Sequence, residues 1–298
     1  MRNGCDRAVR PSRDAVKAAA PFLVPVVRTW HRGLTAWRSR PSYVARHAPF
    51  LPPDTFDQVF FDNRGNHPEQ HIRTTRRFVR IAGARVLALG CRDGREALLW
   101  LRHGARSVTG LDYVASAATW RQIHDASPSV RFLAGDARTL PFADDTFDIV
   151  SSEALLEHVA HPAPAIREMH RVATPRGLVY ANFGPLFHTA GGAHYDGDFE
   201  HLLLDRQPFI EMVERRNRPL EREECLHYFE HDMFSYWTAD EYLHEFHEHA
   251  VLHSAVFVSP TARRFRRTHA AEWAQLRARY SERDLLISGL AVWSRKRS

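Results

Sequence analysis

Residues 86–113 read VLALGCRDGREALLWLRHGARSVTGLDY, and the fold follows from them. A short apolar run passes into a turn bounded by Gly90 and Gly94. An amphipathic segment then begins at Arg95, and a second apolar run ends at Asp112. Strand, glycine turn, helix and strand make one βαβ unit, which buries its apolar surface as a parallel sheet covered by helices. The pattern repeats outward from this unit. Strands are expected at residues 85–89, 107–111, 130–134, 147–151 and 178–183, with two more at 251–258 and 285–294. Helices are expected to begin near Arg95, Ala115 and Pro164, and Thr238 with Glu241 reads as a capping box for a later one. The expected fold is α/β: a doubly wound, seven-stranded, mostly parallel sheet. Around the core (residues 81–183) stand an N-terminal helical extension or lid (1–80), an insertion (184–235) and a C-terminal completion of the sheet (236–298).

The bulk composition narrows the function classes. With 298 residues, 44% apolar, the chain can bury a large core, and no run is long enough to span a bilayer. Near the N-terminus, Lys17, Pro21 and Pro25 interrupt an apolar run, so it reads as a retained extension rather than a leader. Leu23, Val27, Trp30, Leu34 and Trp37 recur at helical spacing, as a helix packing on or lidding the core would show; a dimer contact or a membrane-surface helix are the alternatives. Three cysteines, Cys5, Cys91 and Cys225, form no framework, which points to a reduced, cytoplasmic setting. The net charge of +6 is unevenly spread: residues 1–50 hold ten basic against two acidic residues, and the remainder holds 31 against 33. Only Lys17 and Lys296 are lysines. A basic tail beside a balanced core predicts no specific nucleic-acid binding.

The strand ends carry the chemistry. The glycines of Gly90-Cys-Arg-Asp-Gly94 are spaced unlike a dinucleotide fingerprint, which disfavours a nicotinamide dehydrogenase. Asp112 ends the second strand, 22 residues after Gly90, where a carboxylate can accept from ribose hydroxyls. Asp136 follows the third strand and Ser152-Glu153 the fourth. All these ends fall on one edge of a parallel sheet, where α/β proteins bind ligands.

The segments at 86–113, FLAGDARTLPFADDTFDIVSSEALLEHV (132–159) and AIREMHRVATPRGLVYANF (165–183) resemble successive motifs of the class I S-adenosylmethionine (SAM)-dependent methyltransferases. The tail, with ANFGPLFHTAGGAHYDGDFEHLLL (181–204) and YSERDLLISGLAVWSRK (280–296), is similar to bacterial small-molecule members with an insertion after the fifth strand. The resemblance implies SAM as cofactor. Leu89, Gly90, Cys91, Arg92 and Gly94 would line its methionine part, Asp112 its ribose, and Tyr113, Asp136 and Ala137 its adenine. Ser152 and Glu153 would lie beside the sulfonium. Family members often carry an acid where this chain has Ala88 and a glycine where it has Arg92, so the methionine end gains two positive units. One unit charge at about 6 Å, with an effective dielectric near 20, is worth on the order of 3 kcal/mol. Either Asp93, Glu153 or Glu157 compensates, or Arg92 points to solvent or clamps the cofactor carboxylate.

On the acceptor side, Glu153, Glu157 and His158 follow the fourth strand. The insertion is dense in aromatic rings and histidines, with His188, His194 and His201 as candidate bases. The spacing of these three, with Asp196 and Asp198, matches no zinc pattern, so no metal site is expected. No amine-methylation motif follows the fourth strand, where Ser151-Ser-Glu-Ala stands instead. The expected function is methyl transfer from SAM to a small or medium-sized acceptor, in biosynthesis, by a monomer or homodimer. The alternatives are SAM chemistry without methyl transfer, such as cofactor cyclisation, or a non-catalytic binding protein of the same fold.

Overall fold

Helices on both faces of a sheet allow its central strands to be apolar throughout. β2 (Arg85–Leu89) is such a strand, with its last four residues buried. In the computed structural model, which describes residues 40–52, 54–61 and 68–297, it lies near the middle of an eight-stranded sheet. The strands are β1 (Gln58–Phe60), β2, β3 (Ser107–Asp112), β4 (Val130–Ala134), β5 (Phe147–Glu153), β6 (Ala173–Phe183), β7 (Ala250–Val258) and β8 (Ile287–Arg295). Their order is β1-β7-β8-β6-β5-β2-β3-β4. Only β8 is antiparallel, pairing so with both β6 and β7. All seven expected strands form, and β1 adds an eighth at the edge beside β7. Asp57 pins it there by accepting from the backbone N–H of Ser254 at 2.8 Å.

The chain divides into two compact units, residues 1–49 and 50–298. Within the first, the described residues form α1 (Pro41–His47). The helix expected to carry Leu23 through Trp37 lies outside the described residues. Within the second, α2 (Pro68–Thr75), α3 (Arg95–Arg102) and α4 (Ala117–Ala126) cover one face of the sheet. Ile72, Ala97, Trp100 and Trp120 pack there against Val86, Ala88, Ile149, Tyr180 and Trp293. α5 (Pro162–Val172) follows β5. The N–H of Trp293 also reaches Thr75 Oγ1 at 3.0 Å, fixing α2 against β8.

The insertion is more ordered than its sequence suggests. It holds α6 (Arg206–Arg216) and a π-helical turn, Arg222–Leu226. α7 (Ala239–His247) starts at the expected capping box, in which Thr238 and Glu241 bond reciprocally. The insertion has an apolar core of its own: Phe187, Tyr195, Phe199, Phe209, Phe229 and Phe234. Phe265 of α8 (Pro260–Thr268), Leu276 of α9 (Ala270–Arg277) and Leu285 of α10 (Glu282–Leu286) complete it. Most of the insertion's aromatic residues are therefore taken up by packing.

Candidate functional site

The chain runs β2, β3, β4 outward in one direction and returns to place β5 on the other side of β2. A ligand crevice opens at such a switch point, outside the carboxyl ends of the strands. Leu89 is in register with Leu111 on one side and Ser152 on the other, and Asp112 with Ala134. The loop after Leu89, Asp112, residues 135–137 and Ser152-Glu153 therefore share one edge.

Asp112 ties that edge together. Its carboxylate accepts from the backbone N–H of Arg92 at 2.7 Å and of Val114 at 3.0 Å. The indole of Trp120 donates to the Arg92 carbonyl at 2.8 Å. Arg92 is held with φ 42°, the left-handed region that side chains disfavour. Its guanidinium stands 80% exposed, 4.0 Å from Glu224 Oε1 of the π-helical turn. Gly94, φ 85°, opens α3, and a Cβ there would meet the Phe132 ring at 2.5 Å. Tyr113 is 71% exposed, an aromatic surface that the described residues leave largely uncovered. Asp136 is engaged by its neighbour: Arg138 Nε reaches both of its oxygens, at 3.1 and 3.0 Å, and holds its carboxyl below the ordinary range. Leu89, Cys91 and Ala137 are buried, and burial pushes the Cys91 thiol up to about 12, which leaves it inert.

A polar network that the sequence did not announce lies beneath this edge. Tyr180 donates to Glu153 Oε1 at 2.5 Å, His71 Nδ1 lies 3.1 Å from the same oxygen, and Asn182 donates to Oε2 at 2.7 Å. Tyr180 and His71 also contact each other. Beside them, Glu96 accepts from Ser151 at 3.1 Å and from Trp100 at 3.2 Å, across from Ala88 in the sheet. Burial, then Glu153, push the Glu96 carboxyl up to about 8. Glu153 thus has both oxygens engaged and is poorly placed as a base.

The remaining acceptor candidates separate. Glu157 is buried; one oxygen accepts from the N–H of Gly184 at 2.9 Å, and burial pushes its carboxyl up to about 8. At neutral pH it is an uncharged acid, so it neither neutralises Arg92 nor serves as a base. His158 and His194 do meet, their rings 4.6 Å apart, with Tyr228 at 4.3 Å from His158 and 5.4 Å from His194. Burial lowers both, His158 to about 4 and His194 to about 3, with Arg92 adding to each. His194 Nδ1 also lies 3.8 Å from Glu224. His201 is a core residue: its Nε2 meets the Phe187 carbonyl at 2.7 Å and its Nδ1 lies 3.2 Å from the Tyr195 hydroxyl, which donates to Glu200, so both nitrogens are turned into the core. His188 stands against Tyr280 instead, 5.2 Å between rings, facing Asp284 and Glu241. Of the three insertion histidines, only His194 joins the His158 group, and the three do not form a metal site among the described residues.

Ser152 Oγ, Glu157 Oε2 and His194 Nε2 are buried without a hydrogen-bond partner. Buried polar atoms are rarely left so, and three around one edge mark a place for a polar ligand. Together with an aromatic surface at Tyr113 and a carboxylate at Asp112, this edge suits SAM, with its adenine, ribose hydroxyls and charged amino-acid end.

Comparison with known proteins agrees. Residues 87–181 match the family model described as a methyltransferase domain. The phthiotriol/phenolphthiotriol dimycocerosates methyltransferase 1 of Mycobacterium ulcerans is 32% identical over 45% of this chain and 50% of its own length. A demethylmenaquinone methyltransferase of Renibacterium salmoninarum is 36% identical over 35% of this chain and 43% of its own. The chain thus spans half or less of these curated relatives. A SAM-dependent methyltransferase from Mesorhizobium loti superposes with a TM-score of 0.49 at 20% identity, over 77% of this chain and 98% of that one. The family match falls on the strands that build the edge, so residues 87–181 carry a methyltransferase domain, and the sheet order and the Asp112-tied loop are those of its ligand-binding edge.

Proposed function

We propose that the protein transfers a methyl group from SAM to a small or medium-sized acceptor lying between the carboxyl edge of the sheet and the insertion, as part of a biosynthetic route. The reading includes a cytoplasmic setting and a small molecule rather than nucleic acid as partner; among the described residues no helix is long and apolar enough to cross a membrane. The observation that carries it is the meeting of His158, which follows β5, with His194 and Tyr228 of the insertion, beside the loop tied by Asp112.

When bound, SAM supplies an electrophilic methyl on a positively charged sulfur. Asp112 would hold the ribose, and Tyr113 would offer its ring to the adenine. His158 Nδ1 faces the Met233 carbonyl at 3.2 Å, and a carbonyl only accepts, so Nδ1 carries the proton. That leaves the Nε2 lone pair to take a proton from an acceptor hydroxyl as its oxygen bonds to the methyl carbon, whose bond to sulfur breaks to leave the neutral thioether S-adenosylhomocysteine. Burial keeps His158 neutral at pH 7, so its lone pair is available, and at the same time lowers its basicity. Tyr228 and Phe234 pack on the histidine pair, 5.7 Å apart, and exclude water from it.

The test is mass spectrometry of products from SAM with a panel of hydroxylated acceptors, followed by His158→Ala on the acceptor found. General-base removal is expected to lower kcat by about 10²–10⁴. Affinity for S-adenosylhomocysteine, the demethylated product, stays unchanged. Loss of product binding with kcat intact would place His158 in the cofactor site instead.

A further inference from the structure

The sheet brings one carboxylate to the glycine loop, Asp112, and its two oxygens take up backbone N–H groups rather than the Arg92 side chain. Ala88 is fully buried at the end of β2, and Asp93 is held by Arg95 at 3.1 Å. Glu153 has both oxygens occupied by Tyr180, His71 and Asn182. Glu96 and Glu157 are buried carboxyls that favour the protonated form. Among the described residues, the acidic side chain that reaches the Arg92 guanidinium is Glu224, a third exposed, from the π-helical turn of the insertion. π-Turns widen a helix and turn its side chains, and they concentrate at functional sites. This one sets Glu224 within 4.0 Å of Arg92 and 3.8 Å of His194.

The pair is poorly explained as a stabilising contact. An ion pair this exposed contributes little to folding, and Arg92 holds a backbone conformation that glycine would adopt more easily. Strain of that kind persists where neighbours fix the backbone, here Asp112 and Trp120, and it clusters at ligand sites. The ligand chemistry is complementary: adenosine carries no charge, whereas the amino-acid end of SAM carries a carboxylate and an ammonium together. Resting on the reading that SAM is the cofactor, we propose that Arg92 and Glu224 form a two-charge clamp for that end, Arg92 for the carboxylate and Glu224 for the ammonium. The insertion then completes the cofactor site as well as covering the acceptor.

The experiment is calorimetry on the full chain with two probes, S-adenosylhomocysteine and 5′-methylthioadenosine, which keeps the adenosine and sulfur but has no amino-acid end. Glu224→Gln is expected to weaken S-adenosylhomocysteine about tenfold, the scale of one hydrogen bond to a charged group, and to leave methylthioadenosine within about twofold. Arg92→Gly is expected to give the same selective pattern. Both side chains are exposed enough for the variants to fold, and thermal unfolding checks that they do. Equal weakening of both probes overturns the clamp, because Glu224 would then act by holding the insertion in place. No change in either probe overturns it too. Wild-type protein that binds neither probe overturns the clamp and the SAM reading together, whereas binding of both with no selective effect leaves the SAM reading standing.

Discussion

Asp112→Ala tests the cofactor edge most directly, because one carboxylate does two separable things. It accepts from the backbone N–H of Arg92 and of Val114, at 2.7 and 3.0 Å, and so ties the loop to the end of β3. Both donors lie at an accessible edge, where water replaces the lost acceptor, so the two bonds together are worth about 1–2 kcal/mol of stability. The ribose loses more, because its two hydroxyls are left without a carboxylate partner in a crevice that binding dries. That loss is about 1.5–3 kcal/mol, or roughly ten- to a hundredfold in affinity. The released loop adds to it, since Arg92 sits at φ 42° only while its N–H is held. Asp112→Asn keeps one carbonyl acceptor and should fall between wild type and alanine. Urea unfolding reads the first effect, and calorimetry with SAM and S-adenosylhomocysteine reads the second. A folded Asp112→Ala protein that loses the expected stability yet binds both ligands within about twofold of wild type would refute the ribose role and leave only the tie.

Two further expectations come from the same geometry. Gly94→Ala places a Cβ 2.5 Å from a Phe132 ring that is stacked on Trp120, at φ 85°, whereas Gly83→Ala meets nothing within 4 Å at φ 83°. The first is expected to destabilise by about 2–4 kcal/mol and the second by about 1–2, since both pay for the left-handed backbone and only one for overpacking; equal losses by urea titration would mean that Phe132 yields freely. Glu157, raised from 4.5 to about 8 chiefly by burial, binds its proton more tightly folded than unfolded. Its contribution is fully present below pH 4.5 and is lost as pH rises through about 8, so Glu157→Gln should flatten the decline in stability across that window. Unchanged slopes in denaturant titrations at pH 5 and pH 8 would show that the carboxyl ionises without cost.

The parts legible in the sequence were those set by local pattern. β2 and β4 fall where their apolar runs lie, and the Thr238–Glu241 box forms because its partners are three residues apart. β1 was not legible: Gln58–Phe60 is too short to show a period, and its place depends on Asp57 reaching Ser254 across 197 residues. The network under the edge was hidden for the same reason. Ser151 and Glu96 are 55 residues apart, and Tyr180 and His71 are 109 apart, so only the sheet order and α2 bring them together. Glu224 carried no signal at all, because a π-turn has no residue pattern that marks it. The insertion histidines make the physical point sharpest. His201 lies in a helical turn, Glu200–Leu203, that buries it with both nitrogens engaged, while His194 sits alone at φ 57° in the loop after Gly191 and Gly192, with Nε2 left unpaired. Composition treats the two alike. The backbone path decides which imidazole keeps an unpaired nitrogen, and an unpaired nitrogen near the β5 end is what acceptor chemistry requires.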